Sequence, residues 1–178
     1  VSGFLRLALL LVTLLPAWGA TLERLSLDEM IRQSTAIVRG SVLSEASRER
    51  GNFIFRQVQV RVTETLKGAP ATVAEFSLPG GTLNGVRQVF SGTPQLQPGA
   101  EYVFFLWKSS RGATHIIGLA QGVLNLTSDA KGSPQVVRAA IADGVIDPQT
   151  GAASAAEAIA MPLASLRQRI RQLTAATE

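Results

Sequence analysis

"AEYVFFLWKSS", residues 100–110, is the stretch on which the fold turns. From Tyr102 to Trp107 every residue is apolar, so a strand here has no wet face. Strand side chains alternate between two faces, and an unbroken apolar run of this length needs cover on both. The run therefore predicts a central strand with packed material on each side. The Arg-Gly pair at 111–112 then turns the chain into "THIIGLAQGVLNL", residues 114–126, as its continuation.

Working outward, "TAIVRGSVLSEAS" (35–47) reads as a strand, with Gly40 inside it marking a bulge or sharp bend. "RERGN" (48–52) reads as a hairpin tip. In "QVQVRVTETLKGAP" (57–70), Val58, Val60 and Val62 point one way and Gln57, Gln59, Arg61 and Thr63 the other, the pattern of a strand with one solvated face. Phe53 and Phe55 have the opposite parity, which places a bulge near Arg56. "TVAEFSL" (72–78) puts Ala74, Phe76 and Leu78 inward, and "SPQVVRA" (133–139) supplies a last short strand.

Two helical segments flank these strands. "SLDEMIRQS" (26–34) carries a capping box in Ser26 and Glu29, with Leu27, Met30 and Ile31 on one side. Near the other end, "SAAEAIAM" (154–161) offers a second capping box in Ser154 and Glu157. "PLASLRQRIRQL" (162–173) then gathers Leu163, Leu166, Ile170 and Leu173 on one face and turns Arg167, Arg169 and Arg171 away from it. The expected organisation is a β domain with an N-terminal helix over 20–145, followed by a linker and a helix packed on it over 146–178.

The first residues, "VSGFLRLALLLVTLLPAWGA", place Arg6 before an apolar run and then Pro16 and small residues, the layout of a secretory signal peptide. Cleavage after Gly19 is expected, with Ala17 at the minus-three position. The reading makes the protein exported, periplasmic or secreted, with no transmembrane span after cleavage, because the apolar run falls short of the roughly 20 residues a bilayer needs. Arg6 leaves with the leader, taking the formal net charge from +4 to +3, a mild basic bias. With no cysteine, the chain has neither disulfides nor a thiol nucleophile, so its stability rests on burial.

The succession "AIVRGSV", "VQVRVTETLKG" and "LQPGAEYVFFLW" resembles the netrin-like and tissue-metalloproteinase-inhibitor-like modules, and exported bacterial proteins of similar layout. The resemblance covers roughly residues 35 to 125 and rests on an early V-x-G-x-V strand, a long strand ending in Lys-Gly, and a strand announced by Pro-Gly and Tyr. It implies a mainly β fold, a small OB-like barrel with a short N-terminal helix and a C-terminal amphipathic helix. The inhibitors of that family present an amino-terminal cysteine to the protease zinc, and this chain has none. The resemblance therefore implies the fold and leaves that inhibitory chemistry behind.

No set of residues announces catalysis. His115 is the sole histidine, which excludes multi-His zinc sites and leaves a Ser-His triad without marked partners. There is no G-x-S-x-G elbow. Asp143 and Asp147 in "DGVIDPQTG" read as turn chemistry rather than a calcium loop. Gly80 and Gly85 stand at Walker spacing, but Val86 and Arg87 occupy the places of the Lys and Ser or Thr. The chain is thus read as a non-enzyme, with no metal and no cofactor.

Residues 79–99, rich in Gly and Pro, form the longest irregular stretch, and long loops on rigid sheets are where binding surfaces concentrate. The candidate binding residues are Gly80, Gly81, Thr82, Asn84, Arg87, Gln88 and Phe90. The expected role is a non-catalytic exported interaction domain acting on a protein or cell-envelope partner. A regulator or inhibitor of a secreted protease is the alternative. Clustering of Tyr102, Phe104, Phe105 and Trp107 in one apolar strand makes them core rather than a base-stacking platform, which disfavours nucleic acid. Lys67, at a strand end, reads as a solvated edge charge.

Overall fold

A computed structural model describes residues 22–142 and 144–176; the expected leader and Asp143 lie outside them. The fold is mainly β. A two-residue strand β1 (Leu22–Glu23) precedes helix α1 (Leu27–Gln33), which the Ser26–Glu29 capping box starts as the sequence requires. Two fifteen-residue strands, β2 (Ala36–Arg50) and β3 (Phe53–Lys67), form a long hairpin, and β4 (Val73–Pro79) pairs with β3. A small hairpin of β5 (Gly81–Leu83) and β6 (Val86–Gln88) leads to β7 (Glu101–Lys108) and β8 (Thr114–Ile116). A 3₁₀ turn (Leu119–Gly122), β9 (Val123–Ser128), β10 (Pro134–Arg138), β11 (Val145–Ile146), β12 (Ile159–Pro162) and helix α2 (Leu163–Ala175) complete the chain.

One sheet runs in the order β12-β10-β9-β7-β2-β3-β4-β8, and β8 also returns to β7. The sheet therefore closes on itself as a ring through β7, β2, β3, β4 and β8, with β9, β10 and β12 as a wing. β7 makes this possible by dividing one of its edges. Tyr102 to Phe104 pairs with β9, and Leu106 to Lys108 pairs with β8. Its other edge is occupied by β2.

The alternation of β7 separates two cores, as its double-sided apolar run demands. Tyr102, Phe104 and Leu106 point into the ring, where Phe104 packs on Phe76 at 5.2 Å between ring centroids and on Tyr102 at 5.5 Å. Val103 and Phe105 face the other way, into a second core with Met30 and Ile31 of α1 and Leu163, Leu166 and Ile170 of α2. Phe104 and Phe105, adjacent in sequence, are both 0% exposed, so neither face of the strand is spare. Trp107 departs from the expected run and is half-exposed. The β2 ladder stops at Leu106, and the indole instead lies against the His115 ring at 5.1 Å.

Local expectations are met or corrected by identifiable contacts. Gly40 lies at a register shift in β2, where an added Cβ would stand 2.2 Å from the Arg61 carbonyl oxygen. The bulge expected near Arg56 is absent: the β2–β3 ladder is continuous there, and the residues skipped in the register are Leu66 and Thr63 of β3 and Leu43 of β2. Ile54 carries the inward parity of Val58 and Val60, while Phe53 is 65% exposed and Phe55 is its outward neighbour. The expected helix at 154–161 is also absent. Ile159 to Pro162 form β12 against β10, and Ala153 and Ala156 make isolated bridges.

Tertiary contacts override the helix-forming composition of that segment. Ile159 reaches the second core, and the Glu157 carbonyl accepts a hydrogen bond from Arg138 at 2.8 Å, so it is not available to a helix. Arg138 is itself buried, donating also to the Gln121 carbonyl, and desolvation lowers its pKa. Lys67 corrects another expectation. Its Nζ donates to the Ile31 and Arg32 carbonyls at 2.7 and 3.2 Å, satisfying carbonyls at the end of α1 rather than resting in solvent.

α2 is fastened to the sheet by charge as well as by its apolar stripe. Arg167 grips Glu64 of β3 through two 2.7 Å hydrogen bonds, and Arg39 grips Glu101 through two of 2.9 Å while lying 4.0 Å from Glu64. Arg169 reaches Asp28 in the first turn of α1 at 2.6 Å. Two of the three arginines expected to face solvent are therefore clasps.

Truncating either phenylalanine tests the two-core arrangement. Phe104→Ala and Phe105→Ala should each cost about 3–5 kcal/mol, because each leaves a large void in a different core. Denaturant titration of both variants checks this, and a negligible loss for either would leave that face of β7 without the importance assigned to it.

The charge network predicts a pH dependence. Hydrogen bonding from Arg167 holds the Glu64 pKa below the ordinary glutamate value, and hydrogen bonding from Arg39 does the same for Glu101. A carboxylate with a depressed folded-state pKa contributes stability that is present above its unfolded pKa and lost as pH falls through the folded one. Acid unfolding followed by circular dichroism should therefore show a Glu64→Gln variant less stable than the parent at neutral pH, by about 1–2 kcal/mol for a partly exposed bidentate pair. The difference should shrink as pH drops below the glutamate range.

Candidate functional site

The Gly/Pro-rich stretch is more ordered than its composition indicates, because it builds a hairpin onto the tip of another. Asn84 (φ 50°) and Gly85 (φ 78°) occupy the two central positions of the β5–β6 turn, the left-handed pair that a tight two-residue hairpin requires. The small hairpin is then seated on β3. The Gly80 amide donates to the Ile54 carbonyl at 2.9 Å, and the Ile54 amide donates to Gln88 Oε1 at 2.8 Å. Gln88 Nε2 completes the latch by donating to the Asn52 carbonyl at 2.7 Å. Close seating depends on Gly81, where a Cβ would stand 2.8 Å from Ser47 Oγ and 3.1 Å from Arg56 Cγ.

The rest of the loop is pinned from beneath. Arg56 donates to Glu45 Oε2 and to the Pro94 carbonyl, both at 2.9 Å, and the Gln97 amide donates to the Tyr102 hydroxyl at 3.0 Å. Leu96 is buried in the ring core. Between this floor and the small hairpin lies a cleft of about 400 Å³.

Six of the seven sequence-derived candidates, Gly80, Gly81, Thr82, Arg87, Gln88 and Phe90, line that cleft. Asn84 does not; it stands at the turn. The candidates differ in what they have left to offer. The Gln88 amide is committed to Asn52 and Ile54, so it positions the hairpin. Arg87 is exposed and has no partner among the described residues, and Thr82 is exposed beside it.

Sequence reading missed Ser47, Arg56 and Thr93 of the cleft wall. Arg56 was legible, because it shares the parity of Val58 and Val60 and a bulge was not needed to explain it. Thr93 carried no signal. Its Oγ1 is buried without a hydrogen-bond partner, as is Glu45 Oε1 behind Arg56.

Comparison with protein-family models, with curated proteins and with solved structures finds no match. The site must be read from its own groups. Its free guanidinium, hydroxyls, glycine backbone and the Phe90 ring can recognise a ligand by charge, hydrogen bonding and contact. Among the described residues, Ser47 Oγ has no base bonded to it, and the ring of His115, which lies on β8 against Trp107, has no hydrogen-bonded partner. Asp147 makes the expected turn, accepting from the Gln149 and Thr150 amides at 2.9 and 3.1 Å while Arg24 holds its other oxygen. Those amide hydrogen bonds, with Arg24, hold its carboxyl below the usual range.

The latch is testable by itself. Gln88→Ala removes both side-chain hydrogen bonds to the Asn52–Ile54 segment and should cost about 1–3 kcal/mol, the range for a lost part-buried pair. Hydrogen exchange should show the effect concentrated at Ile54 and in β5–β6. Unchanged protection there would mean that the small hairpin holds its place without Gln88.

Proposed function

We propose that this chain is a non-catalytic exported binding domain of OB-like barrel type, acting on a protein or cell-envelope partner through the cleft beside the β5–β6 hairpin. The barrel reading is supported by the order of the ring. Taken along the chain, β2, β3, β4, β7 and β8 are five strands arranged first, second, third, fifth, fourth, with the fourth returning to the first and the third parallel to the fifth. An OB barrel is likewise a Greek-key arrangement of five strands, which is why this order supports the reading. The netrin-like resemblance of residues 35 to 125 falls on the same strands and points the same way.

The observation that carries the binding role is the construction of the cleft. Backbone and side-chain hydrogen bonds fix its frame, yet Arg87 and Thr82 remain uncommitted at its mouth. A preformed frame lowers the ordering cost of binding, and a free guanidinium selects a partner offering carboxylates or other acceptors.

Thr82→Trp, which fills the mouth, and Arg87→Glu, which reverses its charge, test the assignment. Both positions are exposed, so the variants should unfold at the parental temperature while losing capture of the partner recovered by the parent from envelope extract. Capture that survives both changes would remove the cleft from the function.

A further inference from the structure

The charge balance conceals an asymmetry. Most carboxylates of the described residues are consumed internally, in the ion pairs of α2, in the Arg56–Glu45 contact, in helix capping, in turns, or by Gln57 and Gln59. Only Glu23, Glu49 and Glu157 have side chains with no hydrogen-bonded or ion-paired partner among the described residues. Arginines are not consumed to the same extent, so the charge left for a partner to meet is predominantly positive.

Free cations and exposed apolar side chains coincide at one end of the molecule. At the tip of the long hairpin, Arg48 pairs across the ladder with Phe55 and Arg50 with Phe53. Residues directly opposite one another share a sheet face, so two arginines and two phenylalanines form one outward patch. The Arg50 guanidinium lies over the Phe55 ring at 5.8 Å. Phe53 is 65% exposed, and the Gln88 latch brings Val86 (57% exposed) to the same end. Phe53 and Val86 each lie just past a turn, projecting from loop tips.

We propose that this end of the molecule docks on an anionic phospholipid surface, with Phe53 and Val86 entering the interface and Arg48 and Arg50 meeting the headgroups. Apolar side chains at neighbouring tips, ringed by cations and by one free acid, Glu49, match a bilayer interface, which accepts shallow apolar insertion beside positive charge. Phosphate diesters also suit the bidentate geometry of arginine. This surface is separate from the cleft's ligand: it would hold the domain at the membrane while the cleft engages its partner.

Co-sedimentation with sucrose-loaded vesicles tests the proposal, using the chain from Ala20 onward, which retains every described residue and removes the apolar leader. It should pellet with vesicles of equal phosphatidylglycerol and phosphatidylcholine and stay in solution with phosphatidylcholine alone. Replacing Arg48 and Arg50 together by Gln should lower partitioning by on the order of tenfold or more, since each arginine at an anionic surface is worth several-fold. Phe53→Ser should lower it independently, whereas Thr82→Trp should leave it unchanged even where partner capture is lost. All these positions are exposed, and matching circular dichroism spectra verify folding. No vesicle binding, equal binding to neutral vesicles, or binding unaffected by the Arg48/Arg50 and Phe53 changes would overturn the proposal. Binding to acidic peptides without binding to vesicles would do the same, assigning the patch to a protein.

Discussion

Everything in this fold depends on a single strand with no exposed face along most of its length. β7 must bury Phe104 on one side and Phe105 on the other, and no single layer of structure can do both. The ring meets the first demand, and the two helices with the wing of β9, β10 and β12 meet the second. The division of one β7 edge between β8 and β9 follows, because the ring and the wing both need a place on the strand they share.

That strand was the most legible part of the sequence, since a six-residue apolar run admits few interpretations. The capping box at Ser26, the inward parity of Val58, Val60, Phe76 and Leu78, and the apolar face of α2 were equally open to inspection, being consequences of period and local chemistry. The failures share a cause. Residues 154–161 have the composition of a helix, but the open edge of β10 and the buried Arg138 claim their backbone groups. Lys67 looks solvated until α1, more than thirty residues earlier in the chain, delivers its carbonyls to it. In each case the deciding partner is distant in sequence, and no local pattern encodes it.

The candidate site divides along the same line. Glycine and proline announced a loop, and six of its named residues do converge on a cleft. Composition could not distinguish the residue that builds from the residue that waits. Gln88 and Arg87 are neighbours of similar polarity; one is spent on Asn52 and Ile54, and the other is left over. Only the pairing of partners separates framework from function. The same accounting across the surface converts a modest net charge into a predominantly positive patch at the hairpin tip.

The second core also sets an order of events. It is assembled from the two ends of the described chain, with Leu27, Met30 and Ile31 meeting Leu163, Leu166 and Ile170 over Val103 and Phe105. A polypeptide that emerges amino-terminus first, from a ribosome or through a translocation pore, can zip the β2–β3 hairpin early, because those contacts are local. The second core, begun by α1 with the outer face of β7, then stays incomplete until α2 has emerged. For that interval the nascent protein carries the part of this core that Leu163, Leu166 and Ile170 later cover as an exposed apolar surface. The last helix is therefore the step that ends its exposure to aggregation and to holdase chaperones.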